Sequence, residues 1–171
     1  TPYLKYGRKN VLLVTVNNLA QANSRWYAGS GIYRHVRLHV GELVHIRPWQ
    51  FKVCTPEVSA ESAEICFSAN LTNLTGSAQQ VSIRYDISEK GTGVKVLSGQ
   101  ITPLYLMEKG DTSVEYSVQL KNPKLWDIDS PNLYEAAYEV LSDRGEVLDS
   151  GSVTFGIRSI SFDSKNGFQL N

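Results

Sequence analysis

Ala63-Glu64-Ile65-Cys66-Phe67-Ser68-Ala69-Asn70-Leu71 is the stretch on which the fold turns. Ala63, Ile65, Phe67, Ala69 and Leu71 form a clean alternating face. Successive side chains of a β-strand point to opposite faces, so this pattern predicts a strand with one face in a core. The same period continues downstream. Val81, Ile83, Tyr85 and Ile87 form a second face, and Val114, Tyr116, Val118 and Leu120 a third. Tyr134, Ala136, Tyr138 and Val140 form a fourth, and Val153, Phe155 and Ile157 close the series in phase. Residues 94–101 and 102–107 are weaker strand candidates. Upstream, Ile46, Phe51 and Val53 belong to a run that Pro48 interrupts. A proline there marks an edge strand or a bulge, because it has no N–H for the ladder.

Turn signals separate these runs: Lys90-Gly91-Thr92-Gly93, Lys109-Gly110-Asp111 and Asp143-Arg144-Gly145. No window carries a helical apolar stripe. Six or seven short alternating strands over about 110 residues predict an all-β chain built on an immunoglobulin-like β-sandwich.

The whole chain has 171 residues, enough for one domain of ordinary size with something left over. Its hydrophobic fraction of 42% supports a packed core, and 17 basic residues balance 17 acidic ones. Zero net charge argues against nucleic acid or an anionic membrane as the main partner. No apolar run approaches the roughly 20 residues that span a bilayer. The first residues are Thr-Pro, without Met or a signal-peptide pattern, so the chain reads as an excised fragment. Its compartment is left open between a bacterial periplasmic or secreted setting and the cytoplasm.

The N-terminal residues read differently. Val11-Leu12-Leu13-Val14-Thr15-Val16 predicts a short strand buried on both faces. Residues 19–31 are rich in Asn, Ser and Gly and read as a loop. Ile32, Val36, Leu38 and Val40 then alternate with Tyr33, His35, Arg37 and His39, a half-buried strand. Arg34 falls on the apolar side, so it is expected to be buried with a partner or to lie at a covered edge. Two strands and a loop cannot bury their own faces. Residues 1–42 are therefore expected to be the last part of a larger β-domain, pairing with a sandwich edge or with a second copy of the chain. Residues 158–171 form a tail in which Asn166-Gly167 predicts a hairpin turn.

Candidate chemistry is sparse. His35 and His39 lie about 13 Å apart on a strand, too far to share one zinc ion. Asp127 and Asp129 are the closest carboxylate pair, the tool of glycoside hydrolysis, but Trp-Asp-Ile-Asp-Ser-Pro reads first as a turn. Cys54 and Cys66 flank a hairpin-like connection, each out of phase with its strand's apolar set. Free thiols facing one side are the default reading; a disulfide is the alternative, since antiparallel partners bring such residues within bonding range. Asn70-Leu71-Thr72 and Asn73-Leu74-Thr75 match the glycosylation pattern but read as polar turn residues. In the loop, Trp26 reads first as filling the end of its own sandwich; stacking on a sugar ring by Trp26 and Tyr27 is the alternative.

Several ordered motifs carry a family resemblance. Ser24-Arg25-Trp26-Tyr27-Ala28-Gly29-Ser30-Gly31-Ile32-Tyr33-Arg34 resembles the end of the sugar-binding jelly roll of glycoside hydrolase family 2, most of all in its β-galactosidase branch. Tyr6-Gly7-Arg8-Lys9-Asn10-Val11-Leu12 resembles the strand before it. Asn122-Pro123-Lys124-Leu125-Trp126 and Ser130-Pro131-Asn132-Leu133-Tyr134 resemble the late part of that family's immunoglobulin-like domain. Phe155-Gly156-Ile157-Arg158 and Gly167-Phe168-Gln169-Leu170-Asn171 resemble the exit into its catalytic barrel. The resemblance implies a jelly-roll remnant over 1–42, the sandwich over 43–157 and a lead-in to the barrel over 158–171. It implies that both glutamates of a retaining mechanism lie on that barrel, outside these residues, so that the chain alone holds no catalytic residue. Carbohydrate is then a partner only through the parent enzyme; a β-glucuronidase or β-mannosidase parent stays open, and the rival reading is a free-standing carbohydrate-binding or adhesion sandwich. The resemblance also implies that the loop at Ser24, Arg25 and Trp26 reaches toward the sugar pocket, with Arg25 and Trp26 as substrate-binding candidates. Some members carry Asp where this chain has Ser24, and there it helps to bind sugar and sodium; Ser24 lacks that charge. Any sodium or magnesium is expected to belong to the parent enzyme.

Overall fold

The structure is a computed structural model that describes residues 3–17 and 29–171. The chain divides into two units, Thr1–Leu38 and His39–Asn171. All nine strands among the described residues lie in the second unit, and none of the described residues is helical. In chain order they are β1 (Val44–Cys54), β2 (Ser62–Asn73), β3 (Gln79–Glu89), β4 (Lys95–Leu106), β5 (Gly110–Lys121), β6 (Tyr134–Ser142), β7 (Val147–Phe155), β8 (Ile160–Asp163) and β9 (Gly167–Leu170).

Two antiparallel sheets, β1-β2-β5 and β4-β3-β6-β7, make the sandwich, and β8-β9 form a separate hairpin. The chain changes sheet between β2 and β3, again between β4 and β5, and again between β5 and β6. This is the Greek-key connectivity of an immunoglobulin-like fold. The alternating faces read from the sequence meet in the middle. Ile65, Leu71, Ile83, Ile87 and Val140 are closed off from solvent. One half of the core joins Phe67, Tyr85, Leu120 and Tyr134, and the other joins Val44, Ile46, Val81 and Leu106.

Edges carry the irregularities. In β1 the register with β2 shifts between Ile46 and Phe51, so Arg47-Pro48-Trp49-Gln50 bulge outward opposite Asn70. Pro48 lies inside this bulge, as its missing N–H requires. Residues 94–107, weak as strand candidates, form one strand from Lys95 to Leu106. Its register with β3 shifts between Val81 and Ile83, where Thr102 and Pro103 interrupt the ladder.

A row of four residues crosses the larger sheet at mid-height. Gly99 on β4 pairs with Tyr85 on β3, Tyr85 pairs with Tyr138 on β6, and Tyr138 pairs with Gly151 on β7. Both glycines lie on edge strands, and each leaves the room its tyrosine ring occupies. Burial, with Tyr116 beside it, pushes the Tyr85 phenol up to about 12. Burial and the Asp149 carboxylate push Tyr138 up to about 12 as well. Unfolded tyrosines ionise near pH 10. Both folded pKa values are raised, so this contribution to stability is complete below about pH 10 and is lost as pH rises toward 12. Thermal unfolding followed from pH 8 to 12 should show Tm falling from about pH 10 upward. The fall should shrink in Tyr85→Phe; an unchanged alkaline slope would refute the assignment.

The first unit departs from expectation. Residues 11–16 and 32–38 form no strand, nor do residues 39 and 40 that continue the second pattern, and Val11, Leu12 and Leu13 are 80, 83 and 84% exposed. Arg34 is not buried; its guanidinium lies 5.4 Å from the centre of the exposed Tyr33 ring. A strand needs a neighbour for its N–H and C=O groups and a layer over its apolar face. The described residues of this unit supply neither to each other.

Candidate functional site

The motifs of the second half of the chain are far apart in sequence, and the fold gathers them at one end of the sandwich. Lys121 pairs with Ser62, and the Asn122 amide donates to Glu61 O at 2.7 Å. Tyr134 begins β6 and pairs with Phe155 at the end of β7. Its hydroxyl accepts a 2.8 Å hydrogen bond from the Lys124 amide, ten positions upstream. That bond ties the start of the sixth strand back to the connection that precedes it. Burial raises the Tyr134 phenol above its ordinary pKa. Phe155 stacks on the Tyr134 ring at 5.7 Å, and Lys124 Nζ reaches Glu89 Oε2 at 2.7 Å.

Trp126 is the centre of this junction. Its amide donates to Ile157 O at 2.7 Å, and its ring carries the Arg158 guanidinium 4.7 Å from the centroid. Gly156 lies against it so closely that an added Cβ would be 3.0 Å from the Trp126 Cβ. The end of the chain closes the arrangement. Asn171 Nδ2 donates to Trp126 O at 2.9 Å, and Asn171 Oδ1 accepts from the Ser159 amide at 3.0 Å. The Asn171 amide in turn donates to Ser159 O at 3.1 Å. Asn171 sits at φ 62°, a left-handed conformation that Asn adopts more readily than most residues. The β8-β9 hairpin is thereby tied to the sandwich at its base, while Phe162 and Phe168 pair across it and remain exposed.

The chain enters the sandwich at the other end. Val44 pairs with Asn73, whereas Cys54 pairs with Cys66 near the Trp126 end. At about 3.3 Å per residue, β2, which faces Val44 at Asn73 and Lys121 at Ser62, separates the end where the chain comes in from the end where it leaves by roughly 35 Å. The packed sandwich thus fixes both the distance and the direction between its own entry and exit points.

The other sequence candidates resolve one by one. Ser24, Arg25, Trp26 and Tyr27 lie outside the described residues. Asp127 and Asp129 form the expected turn: the Asp127 amide donates to Ser130 O at 3.0 Å and Asp129 N to Asp127 Oδ1 at 3.3 Å. His45 Nδ1 lies 2.8 Å from Glu42 O, and His39 stands edge-on to Trp49. Among the described residues no cluster of three or more His, Cys, Asp or Glu could hold a metal. Asn73 is no exposed turn residue: it is fully buried and brackets two turns. An open groove of about 640 Å³ crosses the outer face of the larger sheet. Its charges are satisfied in pairs, Arg84 with Glu139 and Lys95 with Asp86, and Lys95 lowers the Asp86 carboxyl below its ordinary pKa. Sequence reasoning missed Trp49, which is 80% exposed at φ 67° in the β1 bulge; only Pro48 beside it signals the irregularity.

Comparisons with known proteins agree with this architecture. The chain is 35% identical over its whole length to Beta-galactosidase BoGH2A of Bacteroides ovatus, of which it covers 20%. It is 32% identical over 99% of its length to a putative beta-glucuronidase of Formosa agariphila, covering 15% of that protein. A crystal structure of a glycosyl hydrolase family 2 member from Bacteroides cellulosilyticus superposes with a TM-score of 0.79 at 35% identity. That match covers 86% of this chain and 20% of the other. The chain thus spans about a fifth or less of the length of these relatives. The family model described as "Glycosyl hydrolases family 2" matches residues 44–158, the whole sandwich through Arg158, and the chain belongs to that family.

Proposed function

We propose that this chain is a non-catalytic spacer of a larger glycoside hydrolase that removes terminal β-galactosides by a retaining, two-glutamate mechanism. In this reading residues 1–42 belong to the sugar-binding portion, and Arg25 and Trp26 contribute to the substrate pocket of the intact enzyme. The sandwich holds that portion in register with a catalytic barrel, and residues 158–171 lead into the barrel. The single observation that carries the reading is the clamp at the chain exit. Trp126 holds both Arg158 and Asn171 at the end of the sandwich opposite Val44. A spacer needs such a fixed exit, because catalysis tolerates little misplacement of the groups it joins. Sodium or magnesium, where the intact enzyme uses it, is held by other parts of that enzyme.

A second reading keeps the same spacer role in a β-glucuronidase, favoured by the Formosa agariphila relative at 32% identity. The 171-residue chain should turn over neither p-nitrophenyl β-galactoside nor p-nitrophenyl β-glucuronide. The intact enzyme should prefer the galactoside, and the opposite preference selects the second reading. In the intact enzyme Trp126→Ala should lower kcat/KM about tenfold or more while the enzyme remains folded. Unaltered kinetics in that variant would refute the spacer role.

A further inference from the structure

The chain has two cysteines, and the register of β1 and β2 sets Cys54 directly opposite Cys66. Residues opposed in an antiparallel pair have Cα atoms about 4.5–5.5 Å apart, inside the range a disulfide bridges. Both cysteines are free thiols; Cys54 is exposed and Cys66 is half-buried. Neither belongs to the core face: Ile65 and Phe67, on either side of Cys66, are the residues that point inward. The row continues one strand further, where Ser117 faces Cys66 on β5 and its Oγ lies 2.9 Å from Cys66 Sγ. That contact holds the Cys66 sulfur on the outer face.

We propose that Cys54 and Cys66 form an oxidation site at which a small-molecule disulfide installs a cross-strand bridge that pins β1 to β2. The exposed Cys54, as its thiolate, attacks one sulfur of the small disulfide. One small thiol leaves, and a mixed disulfide remains on Cys54. The Cys66 thiolate then attacks the Cys54 sulfur and displaces the second small thiol. The protein gives up two protons and two electrons, and the small disulfide takes them up to become two thiols.

Position gives the bridge its consequence. Among the described residues, β1 is an edge strand whose only ladder partner is β2. Beyond the Arg47–Gln50 bulge it is held only from Phe51 to Cys54. This last stretch lies at the end of the sandwich where the chain exits. Reaction at neutral pH is slow. Partial desolvation at this exposed position pushes the Cys54 thiol up, and Cys66, Glu64 and Glu115 push it the same way. The thiolate attacks, so the rate climbs about tenfold per pH unit until the thiol is ionised.

The test uses the full 171-residue chain incubated with hydroxyethyl disulfide at pH 8, then quenched in acid. The expected product has lost about two mass units, has no thiol titratable after denaturation, and yields a peptide in which Cys54 and Cys66 are linked. Its Tm should rise by about 5 °C, reversibly on adding dithiothreitol. Cys66→Ser should stop at a stable mixed disulfide on Cys54 with no rise in Tm. Two stable mixed disulfides on one chain, a disulfide joining two chains, or a bridged product with unaltered Tm would each overturn the proposal.

Discussion

Asn73→Ala is expected to lower stability by about 3 kcal/mol and Tm by about 6–12 °C, an outsized effect for one polar side chain. Asn73 is fully buried at the end of β2. Its Nδ2 donates to Ser77 O at 2.9 Å and to Met107 O at 3.0 Å. Its Oδ1 accepts from the Thr75 amide at 2.9 Å and the Thr75 hydroxyl at 2.6 Å. One amide thus ties the end of β2 to the turn before β3 and to the turn between β4 and β5. Alanine leaves these partners without it. Ser77 and Met107 lie near solvent and regain part of the loss from water, which keeps the cost near 3 rather than higher. Asn73→Asp separates hydrogen bonding from simple loss of volume. The aspartate has nearly the shape of asparagine but sets a buried anion against two carbonyl oxygens. Its pKa should be raised in the folded state. The variant should then be least stable at neutral pH and regain stability as pH falls toward 4, below which folded and unfolded forms are both protonated. A Tm for Asn73→Asp at pH 7 within 2 °C of the parent chain would refute this account, the margin being about 0.5–1 kcal/mol.

Neither the role of Asn73 nor that of the glycines is visible in the sequence, and the reason is physical. Alternation reports how one strand is divided between core and solvent. Ala63 to Leu71 and Val81 to Ile87 are therefore legible, since each is an inner strand with one apolar face. β4 is less so: it is an edge strand, broken at Thr102 and Pro103, with Tyr105 largely exposed. Residues 11–16 and 32–40 carry the pattern of covered strands, but a pattern states what a segment would bury, and its neighbours decide whether it does. The Trp126 junction is legible as motifs and not as a contact. Asn122 to Trp126, Phe155 to Arg158 and Gly167 to Asn171 each stand out in the sequence. That the Arg158 guanidinium lies over the Trp126 ring, and that Asn171 closes onto Trp126, depends on the sandwich bringing them together.

Gly99→Val should cost about 3 kcal/mol, and Gly151→Val a comparable amount, although both glycines lie in strands where valine is ordinarily favoured. Neither position has a left-handed backbone, so the demand for glycine is one of space. An added Cβ at Gly99 would overlap the Tyr85 hydroxyl and ring, and one at Gly151 would lie 2.8 Å from the Tyr138 hydroxyl. Tyr85 cannot retreat inward, because it is nearly enclosed and its ring packs 4.9 Å from Phe67. Tyr138 is likewise confined, with Phe51 at 4.4 Å. Relief must come from outward movement of β4 or β7, which opens the ladders to β3 or β6. Tm should fall by about 6–12 °C in either variant, and the amides of the displaced edge strand should exchange faster with deuterium. Because each clash has a named partner, the costs are not independent of the rings. Tyr85→Phe removes the hydroxyl nearest Gly99, so Gly99→Ala should cost less in that background than in the parent chain. The same pairing should hold for Tyr138→Phe with Gly151→Ala. Strictly additive costs in both pairs would mean that the glycines serve the backbone and not the tyrosines.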